Sequence, residues 1–315
     1  MTVLSGLLSI GLLLGAQDPR TPPTQPEPVV TQETRTPSPQ STEGSVTDLG
    51  EIVVGNRRAS ELAATFVETI GAPATSRRLA RWPDSICVSV ANLSAAPAQY
   101  LIDRVSQIAE DLGVRAGEPG CSANVVIVAA ADASAVATGM VEEYRRAFRP
   151  GGSGMTRSLA VLDDFKTTER PVRWWHVSVP TDSETGDRAV RLPGEDPPMV
   201  NVSRASRLRT DIRDDLNKVF IVIDVDLLEG TTITQLADYV AMVALAQVDA
   251  RSPTAGLPTI LNLFDEPAAT PGLTEWDLAY LQALYRAEPN RSTATGQAAD
   301  IAGLMLQRRN AADQE

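Results

Sequence analysis

Apolar runs alternate with amphipathic stretches along most of the chain, which is typical of an α/β protein. Runs rich in Val and Ile at residues 86–93 and 123–130 predict two strands, and residues 97–114 between them carry an apolar stripe. The stripe recurs at helical spacing through Leu101, Val105, Ile108 and Leu112. Strand, helix and strand in this order predict a βαβ unit with parallel strands.

The remaining pattern extends this α/β architecture. Further predicted helices cover residues 59–70, 133–148, 231–248, 273–285 and 297–309. Further predicted strands cover residues 51–58, 174–179 and 220–227, and the last is apolar almost throughout, as a strand covered on both faces should be. We expect a mixed sheet in a single α/β domain at residues 46–288, followed by a partly helical C-terminal extension at residues 289–315.

The N-terminal residues have the pattern of a signal peptide followed by a linker. An apolar run at residues 3–16 ends in small residues, which predicts a signal peptide, residues 1–16, cleaved after Ala16. Residues 17–45 are rich in Pro, Thr and Ser and cannot bury enough apolar surface to fold, so they predict a disordered linker. No later segment reaches the roughly 20 apolar residues of a transmembrane helix. We therefore expect a periplasmic or secreted protein.

The two cysteines indicate the redox compartment of the protein, and the net charge indicates which partners it disfavours. In an exported protein Cys87 and Cys121 favour a disulfide, and neighbouring parallel strands would bring them together. The alternative is two buried free thiols in a reducing compartment. A formal charge of −12 disfavours binding to nucleic acid, whose phosphates require basic residues.

The C-terminal half has an order of elements found in a known enzyme family. Helix 231–248 is followed by Thr259-Ile260-Leu261-Asn262 and then by a helix ending in Leu284-Tyr285. This order resembles the active-site half of the metzincin metallopeptidases, in which a zinc-binding helix precedes a turn with a buried Met and a final helix. The resemblance places Leu261 at the Met position.

Aligning the helix with the metzincin zinc motif shows that its ligands are missing. The resemblance places Ala237 and Ala241 at the first two histidines, Asp238 at the glutamate, Ala244 at the glycine and Gln247 at the third histidine. The chain has one histidine, His176, whereas a catalytic zinc needs three protein ligands. We therefore expect no metal or other cofactor and no peptidase activity.

These observations predict an exported, noncatalytic binding or scaffolding protein for an unknown protein or small ligand. Its cleft is either filled by Ala237, Ala241 and Leu261 or reused for binding. One alternative is a structural envelope protein that works through its Pro-rich tether.

A second alternative is a carboxylate-based hydrolase. Asp224 and Asp226 alternate along the predicted strand about 7 Å apart, and Asp238 approaches from the helix. Such acids also suit a hard metal such as Ca²⁺ or Mg²⁺. The competing interpretation is that strand-end acids form a turn.

Two further positions have structural interpretations. His176 shares a strand face with Trp174, and a lone histidine beside aromatic residues is typical of a packed residue. Thr274 followed by Asp277 predicts a helix N-cap.

Overall fold

The computed structural model describes residues 49–74, 76–151, 156–189 and 209–312. The predicted signal peptide and linker lie outside the described residues, as do residues 190–208. The described helices are α1 (Leu49–Ile70), α2 (Ala95–Asp111), α3 (Ala133–Glu143), α4 (Arg145–Phe148), α5 (Leu159–Thr167), α6 (Ile233–Leu245), α7 (Glu275–Arg286) and α8 (Ala294–Ala312). The described strands are β1 (Ser85–Ile86), β2 (Val88–Ala91), β3 (Arg115–Ala116), β4 (Val125–Ala130), β5 (Val172–Asp182) and β6 (Ile212–Asp224).

The main sheet has the order β2-β4-β6-β5. Strands β2, β4 and β6 are parallel, whereas β5 runs antiparallel to β6 at the edge, with a bulge between Val177 and Ser178. Strands β1 and β3 form a small parallel pair. The mixed α/β class is therefore confirmed, and the predicted strand-helix-strand unit is β2-α2-β4.

The sheet separates two apolar cores, because side chains alternate between its faces. Ile127, Trp174 and Ile221 belong to the larger core, which is completed by α1, α2, α6, α7 and α8. Trp175 and Phe220 belong to the smaller core with α3, α4 and α5. Trp174 and Trp175 thus serve different layers of a helix-sheet-helix arrangement.

The prediction of a strand at residues 51–58 is wrong, because these residues belong to α1. The segment runs into the predicted helix 59–70 without a proline, and each added helical residue gains one backbone hydrogen bond. Gly55 within the helix costs only about 1 kcal/mol, which is too little to end it. No helix among the described residues is long and apolar enough to cross a membrane.

The predicted C-terminal extension takes part in the main core. Helix α8 packs against α1 and α7, and its Ile301 and Met305 have no exposed surface. Phe66 of α1 contacts the rings of Trp276 and Tyr280 in α7. The folded unit that begins near residue 48 therefore continues through α8.

The predicted disulfide between Cys87 and Cys121 is present, with 6.0 Å between the two Cα atoms. It joins the start of the βαβ unit to the segment that precedes β4. Gly117 lies against it, since a Cβ atom there would lie 2.6 Å from the Cys121 sulfur. A side chain at this position would therefore displace the bridge.

Reduction of Cys87–Cys121 should lower the free energy of unfolding by about 3–4 kcal/mol. A covalent link across 34 residues restricts the unfolded chain, and reduction removes that restriction. Guanidinium titrations with and without reductant measure the loss. The paired variant Cys87→Ser, Cys121→Ser should be as unstable as reduced protein and insensitive to reductant. Equal stability of oxidised and reduced protein would contradict this expectation.

Candidate functional site

Helix α6 lies inside the larger core, where it packs against α2, α7 and β6. Its start is fixed by a capping box, in which the Thr232 side chain accepts from Gln235 N and the Gln235 side chain accepts from Thr232 N. From Tyr239 to Leu245 every residue of the helix is buried. An all-round apolar sequence predicts such an enclosed position.

The two residues aligned with the first two metzincin histidines are buried in the larger core. Ala237 and Ala241 have no exposed surface, and Ala244 has none either. Leu261 lies in a short 3₁₀ turn, Ile260–Asn262, and packs against the same core. A ligand in solvent therefore has no access to either alanine.

Gln247, aligned with the third histidine, lies beyond the end of α6 and is 2% exposed. Its side-chain oxygen accepts a hydrogen bond from Ala80 N at 2.7 Å, and its backbone carbonyl accepts one from Ala72 N at 2.9 Å. Its buried amide therefore anchors the chain segment between α1 and β1.

Asp277 ties the Leu261 turn to the start of α7. Its carboxylate accepts hydrogen bonds from the Thr259 hydroxyl at 2.6 Å, Ile260 N at 2.8 Å and Thr274 N at 2.9 Å. Burial raises the pKa of Asp277, and these hydrogen bonds oppose that shift. The predicted Thr274 N-cap is present as a capping box, and it also holds the preceding turn.

Side-chain donors from distant parts of the chain satisfy the carbonyls at the end of α6 and just beyond it. The pairs are His176 Nε2 to Val243 O at 2.7 Å, Trp82 Nε1 to Ala244 O at 2.9 Å, the Tyr285 hydroxyl to Leu245 O at 2.8 Å, and Trp174 Nε1 to Val248 O at 2.9 Å. Because a carbonyl oxygen only accepts, the hydrogen of neutral His176 is on Nε2. Burial lowers the pKa of His176 to about 4. His176 is thus a packed, neutral donor, as its sequence context predicts.

Asp224 is 8% exposed and forms the turn after β6. Its carboxylate accepts from Asp226 N and from Ala133 N, both at 3.3 Å, and so links the strand end to the start of α3. Because β6 ends at Asp224, the prediction that Asp224 and Asp226 alternate along one strand is wrong. The local Asp224 side-chain hydrogen bond starts a 3₁₀ turn in place of further strand.

Asp238 is bound by groups other than Asp224 and Asp226. It forms a 2.5 Å ion pair with Arg104 of α2 and accepts a hydrogen bond from Leu273 N at 2.9 Å. Gly272 allows this approach, since a Cβ atom there would lie 2.5 Å from the Asp238 carboxylate. Asp238 therefore joins α6 to α2 and to the segment before α7.

The described ranges contain no group of three or more His, Cys, Asp or Glu side chains that could hold a metal ion. Asp224, Asp226 and Asp238 are accordingly not brought together as a metal site.

No protein-family model matches this chain, and neither the curated proteins nor the solved structures include one with significant similarity to it.

A cleft that the sequence pattern does not predict lies on the opposite side of the sheet from α6. It lies between α3–α4 and α5, has a volume of about 710 Å³, and is bordered by Arg145, Arg146, Arg149 and Lys166. The available signal was three arginines within five residues of an acidic chain. The sequence pattern did not indicate that an apolar surface lies beside them.

Replacing Asp277 with alanine should lower the free energy of unfolding by about 2–4 kcal/mol. The change leaves the Thr259 hydroxyl and the Ile260 and Thr274 N–H groups without their acceptor in a buried position. Urea denaturation measures the effect. Glu275→Ala, an exposed acid in the same helical turn, is the matched control and should cost under about 1 kcal/mol. Equal losses in both variants would contradict the proposed anchoring.

Stability should fall as the pH drops from about 6.5 to about 4 because of His176. Over this range the unfolded chain binds a proton at His176, whereas burial keeps the folded imidazole neutral. The contribution is complete above pH 6.5, and about 3 kcal/mol of it is lost by pH 4. Denaturation curves of wild type and His176→Gln across this range isolate the effect. The variant should show a correspondingly shallower pH dependence, and identical slopes would contradict the assignment.

Proposed function

We propose that this protein is an exported, noncatalytic binding or scaffolding protein whose core is arranged like the active-site half of a metzincin peptidase. The observation that carries the proposal is the complete burial of Ala237 and Ala241, where the resemblance expects zinc ligands. The order of α6, the Leu261 turn and α7 supports the resemblance. Export is supported by the signal-like N-terminus and by the disulfide, which is typical of oxidising compartments.

The chemistry of the replaced positions supports a noncatalytic role. Zinc binding requires nitrogen, sulfur or carboxylate ligands held at about 2.0–2.3 Å, and alanine offers none. Asp238, at the position of the catalytic glutamate, is held by Arg104 and Leu273 N. Where the resemblance expects zinc and substrate, the Ala237 and Ala241 side chains are buried in the core.

The contacts of the acidic residues favour this proposal over a carboxylate-based hydrolase. Asp224 fixes a turn and Asp238 joins helices, so each carboxylate has a structural function. The envelope-protein alternative depends on the linker, residues 17–45, which lies outside the described residues.

Metal analysis tests the proposal directly. Protein purified without chelators should contain far less than one equivalent of zinc, calcium or magnesium, and added EDTA should leave the thermal midpoint unchanged. One equivalent of tightly held metal, with a lower midpoint after its removal, would overturn the proposal.

The variant Asp238→Asn separates a structural carboxylate from a metal ligand. Loss of the Arg104 ion pair should lower the free energy of unfolding by only about 1 kcal/mol, because this pair is partly exposed. The metal content should stay unchanged. A metal content that falls with the substitution would assign Asp238 a ligand role instead. Exposed Asp103→Asn of α2 is the matched control.

A further inference from the structure

The cleft between α3–α4 and α5 lies on the sheet face opposite α6. Val141 and Leu162 form an apolar floor that continues into the smaller core, with 9% and 5% of their surfaces exposed. Leu159 also lines the cleft, and 64% of its surface is exposed. A volume of about 710 Å³ is within the range of small-molecule sites. The shape and the floor are therefore suited to an apolar group.

The charges at the rim favour an anion. Arg145, Arg146 and Arg149 have no carboxylate partner among the residues that the structure describes, whereas Lys166 pairs with Asp163 at 3.0 Å. Four cations thus face two carboxylates, Glu142 and Asp163, on a chain whose net charge is −12. Such a local reversal attracts anions against the field of the whole protein.

Arginines commonly lie at a protein surface because water solvates their charge. That reason does not apply to the apolar side chain of Leu159, which is also exposed. The cleft thus offers two complementary contacts, an exposed leucine and guanidinium groups that pair with no carboxylate in the described ranges. Arginine presents parallel N–H donors that match a carboxylate or phosphate group.

We propose that this cleft binds a monomeric amphipathic anion, with its apolar chain on Val141, Leu159 and Leu162 and its anionic group at Arg145 and Arg149. The inference rests on the noncatalytic binding role proposed above and gives that role a ligand class. Because the residues of α6 are buried in the larger core, the proposed binding site lies on the other face of the sheet.

Titration calorimetry with decanoate, 1-decanol and acetate tests the ligand class. Decanoate should bind saturably at one site, decanol at least about tenfold more weakly because it lacks the charge, and acetate not measurably. Raising the salt concentration should weaken decanoate binding but not decanol binding. Equal affinity for decanoate and decanol, or no saturable decanoate binding, would overturn the proposal.

Two variants locate the site. Arg145→Gln with Arg149→Gln should weaken decanoate binding at least about tenfold, whereas Leu159→Ser should weaken decanoate and decanol alike by roughly fivefold. The matched control is Arg57→Gln with Arg115→Gln, which removes the same charge from exposed positions that do not line the cleft, and it should bind like wild type. A control that weakens binding as much as the cleft variant would overturn the location.

Vesicles of phosphatidylglycerol distinguish a free amphipath from a membrane surface. Binding to vesicles without binding to monomeric decanoate would overturn the proposal in favour of a membrane-docking face. These results are separable from the metal analysis. Absence of decanoate binding leaves the metal-free assignment intact, and a stoichiometric metal overturns that assignment whatever decanoate does.

Discussion

The carbonyl groups at the end of α6 impose the main constraint on this structure. The last turn of any helix leaves carbonyls that the helix itself cannot satisfy, and α6 ends inside the core. A buried carbonyl without a donor costs about 1–3 kcal/mol. Trp82, His176 and Tyr285 supply the donors, and they come from three separate regions of the chain. The core around α6 is complete only when all three regions are in place.

The segment between α1 and β1 extends the same principle to the neighbouring helices. Arg81 donates to the Leu284, Tyr285 and Ala287 carbonyls at the end of α7, and the Gln297 side chain of α8 binds both backbone groups of Leu79. A segment with little regular secondary structure therefore holds the ends of several helices. The backbone N–H and C=O of Leu79 are thus paired inside the core, where solvent offers no alternative partners.

Local patterns in the sequence were sufficient for much of the fold. The βαβ unit and the α7 N-cap follow from periodicity and short spacings, and the Cys87–Cys121 bridge follows from two cysteines beside neighbouring strands in a chain with a signal-like N-terminus. The structure has all three. The donor–acceptor pairs at the end of α6 were not predictable, because Trp82 and Ala244 are 162 positions apart and no local pattern links them. The cleft was missed for the same reason: Leu159 and Arg145 meet only when α5 packs beside α3 and α4.

The packing of α8 against α1 has a consequence for the order of folding. The first and last described helices share one core, so a growing chain exposes the apolar face of α1, including Phe66 and Ile70, until α8 has been synthesised. Such long-range closure slows folding and prolongs the period in which apolar surface is open to aggregation. The core that α1 shares with α8 therefore closes late in folding, after the rest of the folded unit has been synthesised.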